Sequence, residues 1–223
     1  MGEADRPKTP RGPNAERRAA TRAKIMDAGV RSLAQFGYAA TSTPLVAQMA
    51  KVSRGSLLHQ FPTKVELMLA VVEHAWLAQR TFVRAQVAAN PPGRDQFIGG
   101  VQAIWQGLQL PEAIAVMEVM IAARTDPELA ERYADFASQA EAGMHRTRKR
   151  MAEGLLGAPE HVAEVDAIAH LTLAALRGLA LETVFIGRST EEADKVLALL
   201  ENIRRRMADE IFAEQTGEAR RNL

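Results

Sequence analysis

The stretch KVSRGSLLHQFPTK, residues 51 to 64, gathers side chains suited to an anionic, hydrogen-bonding partner. Arg54 offers a planar fork of donors, Ser56 can donate or accept, and Lys51 and Lys64 are point charges. Gly55 and Ser56 are small enough for backbone to come close to a partner. Nothing comparable points to catalysis. The chain has no cysteine, which excludes disulfides, thiolate metal sites and a cysteine nucleophile. Asp166 and His170 stand four apart and could share a metal, but two ligands do not make a site. With no glycine-rich phosphate loop, nucleophile elbow or paired-acid motif, the chain reads as a non-enzyme without a cofactor. The run HRTRKR at 145 to 150 reads as a solvated helix face.

These side chains must be positioned by helices, because hydrophobic periodicity is helical almost throughout and no strand alternation is persuasive. The 223 residues, 47% hydrophobic, are enough for a substantial core. No segment carries eighteen uninterrupted apolar residues, and the N-terminus lacks the apolar core of a signal peptide. The expectation is a cytoplasmic protein without a membrane partner. The net charge of +1 hides an asymmetry: residues 1 to 64 hold eleven Lys or Arg against four Asp or Glu, and the remainder 17 against 23. A basic front on an acidic body suits a polyanionic partner, and equally suits a solvated arm of arginines.

Residues 1 to 14, with Pro7, Pro10 and Pro13, read as a flexible arm. A helix over 16 to 36 follows, stopped by Gly37. Thr43 before Pro44 reads as an N-cap with proline at the first helical position. Ser53 caps a short helix that ends near Phe61, since Pro62 disfavours helix before it. A long helix then runs from Thr63 or Lys64 to about 88. On the short helix Leu57 and Phe61 point together and, with Val46, Val52 and Leu33, can pin it, leaving Gly55, Ser56 and His59 outward. Two short helices joined by a tight turn form a helix-turn-helix whose small outward residues permit approach to a DNA groove. Such hairpins also occur as plain packing units.

Over residues 21 to 75 the sequence resembles the TetR-type transcriptional repressors. Ala28-Gly29, LAQFGY at 33 to 38, Thr41, Val46-Ala47, VSRGSL at 52 to 57, Phe61-Pro62 and Lys64 carry the resemblance. It implies an all-α protein with a three-helix DNA-binding domain at 15 to 62, and a six-helix effector-binding and dimerisation domain at 63 to 223. It also implies a homodimer that binds double-stranded operator DNA and a small-molecule effector. Arg54, Gly55, Ser56 and His59 would approach base edges, while Thr43, Gln60 and Lys64 would contact phosphates. Arginine is suited to a bidentate contact with guanine, and a helix N-terminus to phosphate. Two positions depart from the family: Lys51 occupies a turn site where glycine and a positive φ are usual. Leu58 replaces a common tyrosine and offers only an apolar contact, such as to a thymine methyl.

Further helices are expected at about 94 to 107, 111 to 124, 127 to 153, 161 to 187 and 190 to 214. The helix at 161 to 187 is apolar nearly all round, so something beyond its own core should cover it. Leu173, Leu176 and Val184 on this helix, and Leu197, Leu200, Ile203 and Met207 on the last, are candidates for a four-helix dimer interface. The same residues could instead complete a monomeric bundle. Trp76, Trp105, Met117, Met120, Phe136 and Met144 could line an effector cavity or be ordinary core. His170 and Arg177 share a helix face; a buried Arg177 needs an anionic partner, either Glu118 or Glu141 or an acidic ligand. The alternative overall reading is a helical sensor or scaffold dimer without specific DNA binding.

Overall fold

The computed structural model describes residues 13–221 apart from positions 156, 158 and 188, so most of the expected N-terminal arm lies outside the described residues. Among the described residues there are nine α-helices and no strand: α1 (Pro13–Ala40), α2 (Thr43–Ala50), α3 (Arg54–Gln60), α4 (Lys64–Ala88), α5 (Arg94–Leu108), α6 (Pro111–Ala123), α7 (Pro127–Arg150), α8 (Val162–Ala180) and α9 (Thr190–Arg221). A π-helical turn extends α7 over Met151–Leu155, and another extends α8 over Leu181–Phe185.

Local chemistry sets the boundaries. The cap of α2 is Ser42 rather than the expected Thr43: its side chain accepts from the Leu45 amide, which leaves Thr43 as the first helical residue and Pro44 in the first turn. Thr63 caps α4 in a reciprocal box with Glu66, each side chain accepting the other's backbone N–H. Gly37 does not end α1. It takes a positive φ of 74° and kinks the chain, and a further turn continues to Ala40. That turn is held by Thr41, whose hydroxyl donates to the Gly37 carbonyl at 2.8 Å and lies 3.0 Å from the Ser32 hydroxyl in a buried pair.

The core is built in linked clusters. The first joins α1 to α4 with α6 and includes Ile25, Leu33, Val46, Leu57, Phe61 and Val71. At the crossing of α1 and α4, a Cβ on Gly29 would collide with the Val71 side chain, so glycine sets how closely these helices pack. The second cluster joins α5, α6, α8 and α9 through Val101, Trp105, Met117, Leu176 and Leu197. A third surrounds Phe97 with Val165, Ile168, Ala208 and Ile211.

Four of the seven residues expected at a dimer face are spent elsewhere. Leu176, Leu197 and Leu200 are buried in the subunit's own second cluster, and Leu173 lines a cavity between the helices. Met207 packs half-buried on the third cluster. The side chain of Val184 lies outside the described residues. The stripe that α9 buries runs Leu197, Leu200, Arg204, Ala208, Ile211, one residue out of phase with a face drawn through Ile203 and Met207. Among the large apolar residues left exposed are Leu171 (52% exposed) on α8, and Leu199 (59%) and Ile203 (37%) on α9.

Candidate nucleic-acid interface and effector cavity

A seven-residue helix cannot persist alone, so α3 depends on its neighbours. Leu57 is fully buried and Phe61, which closes the helix, nearly so; the Arg22 guanidinium of α1 lies over the Phe61 ring at 4.8 Å. The Ser53 hydroxyl accepts from the Ser56 amide at 3.1 Å. With one side anchored, Arg54, Gly55 and His59 are exposed, and Ser56, Leu58 and Gln60 half-exposed. A Cβ on Gly55 would meet nothing within 4 Å, so packing inside the subunit gives no reason for glycine there. Leu58 rests partly against the first cluster, which accounts for an apolar residue at that position. Thr43 is half-exposed at the start of α2.

Lys51 is exposed and adopts φ 56°, the left-handed conformation that glycine would take without strain. Its amide donates back to the Gln48 carbonyl at 3.1 Å, closing the turn between α2 and α3.

Lys64 is engaged inside the protein. Its ammonium donates to the Tyr38 carbonyl at 2.8 Å and sits 4.2 Å from the centre of the Tyr38 ring; burial lowers its pKa. Tyr38 is the node of this junction. Its amide donates to Glu118 Oε2 at 3.0 Å, and its hydroxyl donates to Asp126 Oδ2 at 2.9 Å. Burial, reinforced by the Asp126 bond, pushes the Tyr38 phenol up to about 12. The end of α1, the start of α4, the middle of α6 and the cap of α7 thus meet on one residue. Sequence periodicity gave no signal for these contacts, which join residues 80 and 88 positions apart.

A cavity of about 400 Å³ lies between α4, α5, α6, α7, α8 and α9. Helical spacing builds each wall: Gly100, Ile104 and Leu108 from α5, and Ala169, Leu173 and Arg177 from α8. Of the eight expected ligand residues, Trp76, Met117, Met144 and Arg177 line it. Trp105 is core, Phe136 packs edge-on against Trp76 at 5.8 Å, and Met120 and His170 are exposed to solvent. Neither carboxylate expected to hold Arg177 forms an ion pair with it: Glu118 is bound to Tyr38, and Glu141 accepts from Arg148 and reaches Arg177 only through its charge. The run at 145 to 150 is not simply solvated, because Arg148 is buried and pairs with Glu141 and Asp166.

Residues 25–71 match the family model for bacterial regulatory proteins of the tetR family. An uncharacterized HTH-type transcriptional regulator of Mycobacterium tuberculosis is 30% identical over 131 residues, 58% of this chain and 67% of that protein. The chain belongs to the tetR family. A putative TetR-family regulator from Rhodococcus superposes with a TM-score of 0.62 at 18% identity, covering 83% of this chain and 98% of that one. A member from Streptomyces coelicolor superposes at 0.55 with 26% identity, covering 81% and 97%. This tetR-family protein is therefore a DNA-binding transcriptional regulator and not an enzyme. Among the described residues no helix is long and apolar enough to cross a membrane.

Proposed function

We propose that the protein is a homodimeric repressor that reads a palindromic operator with α3 and releases it when a small molecule fills the cavity. The observation that carries this reading is the combination at α3: an apolar side locked into the core, and an outer side where Arg54 and His59 flank a glycine with open space over it. In that reading Gly55 and Ser56 let the helix backbone enter the major groove, while Arg54 reads a guanine and His59 an adjacent base edge. Thr43 and Lys51, which precede α3, and Gln60, which ends it, would contact phosphate. Lys64 would act chiefly by fixing the junction, because its ammonium is bound to Tyr38. Leu171, Leu199 and Ile203 supply the exposed apolar surface for a second copy.

The route from cavity to DNA follows from the same contacts. Val116 and Met117 of α6 line the cavity, and the next residue, Glu118, holds the Tyr38 amide. Trp76 of α4 lines it too, and α4 begins at Lys64. A ligand that favours one setting of α4 and α6 would shift the Tyr38 node and change the spacing of the two recognition helices. It does so only to the extent of its differential affinity for the two settings.

Selection of bound sequences from a random duplex pool, with the full-length protein, tests the reading. The expected result is a two-fold symmetric motif whose half-sites are centred about one helical turn apart. An asymmetric motif, or no enrichment over the input pool, would contradict it and favour a sensor without specific DNA binding.

A further inference from the structure

The cavity carries a charge that composition would not give it. From residue 65 onward the chain has 23 acidic residues against 17 Lys or Arg. Five arginines nevertheless line the cavity, Arg80, Arg84, Arg148, Arg177 and Arg204, and no Asp or Glu is among the described residues lining it. The rest of the wall is mainly aliphatic. Its two glutamine amides already donate to backbone carbonyls, Gln79 to Gly107 at 3.1 Å and Gln96 to Asn90 at 3.1 Å.

Arg148 is neutralised by Glu141 and Asp166, and Arg84 is exposed. The other three have no carboxylate within 4.0 Å among the described residues. Arg80 stacks on the Trp76 ring at 4.4 Å and reaches only the Thr147 hydroxyl, at 3.4 Å. Arg177 is half-buried beside Tyr133 and feels the charge of Glu141, whose carboxylate is bound to Arg148 and makes no ion pair with it. Arg204 is 2% exposed. One of its terminal nitrogens donates to the Phe97 carbonyl at 2.8 Å and the other to the Thr172 hydroxyl at 3.2 Å, while its Nε has no partner. A Cβ on Gly100 would come within 2.8 Å of this guanidinium, so glycine there keeps room for it. Burial lowers the pKa of all three, that of Arg204 to about 10. A buried cation such as Arg204, whose hydrogen-bond partners are neutral, is costly unless an anion joins it.

We propose that the cavity takes a small amphipathic oxyanion, an apolar body with a single carboxylate or phosphate head held by Arg177 and Arg204. This rests on the effector-cavity reading above and names the chemistry of that ligand. A guanidinium presents paired donors that match two oxygens of either head, and Ile104, Leu108, Val116, Met117 and Leu173 would take the body.

The test is titration of the full-length protein with straight-chain carboxylates, alkyl phosphates, alcohols and alkylammonium ions of six to twelve carbons, followed by calorimetry and by tryptophan fluorescence. The expected result is that one anionic series binds at least tenfold tighter than the alcohol of equal length, with ammonium ions weakest. Whichever of carboxylate and phosphate binds tighter identifies the head. Arg177→Gln should remove at least tenfold of the anion's affinity and leave the alcohol's within twofold, and Arg177→Lys should recover part of it. Arg204→Met should act in the same direction; if it does not fold, Arg177→Gln carries the test alone. Alcohols binding as tightly as anions, or anion affinity unchanged by Arg177→Gln, would overturn the charge proposal and leave the cavity reading intact. Failure of every series to bind would overturn both.

Discussion

Replacing Gly55 by alanine separates stability from DNA binding, two properties that most substitutions in a recognition helix change together. The added methyl group meets nothing within 4 Å in the subunit, so it introduces no clash. Alanine is favoured over glycine in a helix by roughly 0.8 to 1 kcal/mol. Gly55 lies in the first turn of a seven-residue helix, so roughly half of that is expected here. For a chain of this length about 0.5 kcal/mol raises Tm by about 1 to 2 °C. If α3 enters a groove with its backbone close to the bases, the same methyl group must be accommodated there. Overpacking a close interface costs about 1 to 3 kcal/mol, a loss of roughly five- to more than a hundred-fold in affinity. Calorimetric melting and fluorescence anisotropy with operator DNA, run on the same preparation, provide the assay. A Tm equal to or above that of the parent with weakened DNA binding supports the placement of α3. Unchanged DNA affinity would refute the claim that Gly55 faces the groove, and a fall in Tm would refute the open space assigned to it.

Other expectations concern single contacts. Arg54→Ala should cost roughly 1 to 3 kcal/mol on the operator and relax one base preference, with little loss on random duplex; equal losses on both would remove Arg54 from base reading. Tyr38→Phe deletes the bond to Asp126 and should cost about 1 kcal/mol in denaturant unfolding; an unchanged midpoint would contradict a stabilising bond. The Tyr38 phenol holds its proton more tightly folded than unfolded, about 12 against 10.0. Its contribution is therefore complete below pH 10 and is lost as pH rises through about 12. Tyr38→Phe should lack that alkaline loss, and an identical alkaline profile would show that Tyr38 is not its source. Leu199→Asp with Ile203→Asp should yield a folded monomer by sedimentation, whereas Leu200→Asp should unfold the subunit by placing a charge in its core; a folded Leu200→Asp monomer would reverse the assignment of these faces.

Much of this architecture was legible in the sequence because caps and prolines act locally. Ser53, Thr63, Pro111 and Pro127 mark helix starts within a residue or two, and Leu57, Phe61, Val46 and Leu33 share one core as their spacing indicates. In Ser42-Thr43-Pro44 two adjacent residues can each cap, and only backbone geometry selects Ser42. Gly37 reads as a stop, but the Thr41 hydroxyl rebuilds a turn beyond it. Arg204 stands in a run of three arginines that resembles a solvated face. Its position four residues after Leu200 and four before Ala208 puts it on the buried stripe of α9, so the periodicity held the signal while the residue type concealed it. The Tyr38 junction depends on partners in distant helices and has no local signature.

Operator-specific binding by a dimer is tested by an anisotropy titration of the full-length protein, over a salt series, against DNA from upstream of its own gene and against a random duplex. Two subunits should bind per site, with tighter binding to the upstream DNA and a steep salt dependence on both. Equal affinity for the two duplexes at every salt concentration, or no binding to either, would contradict it.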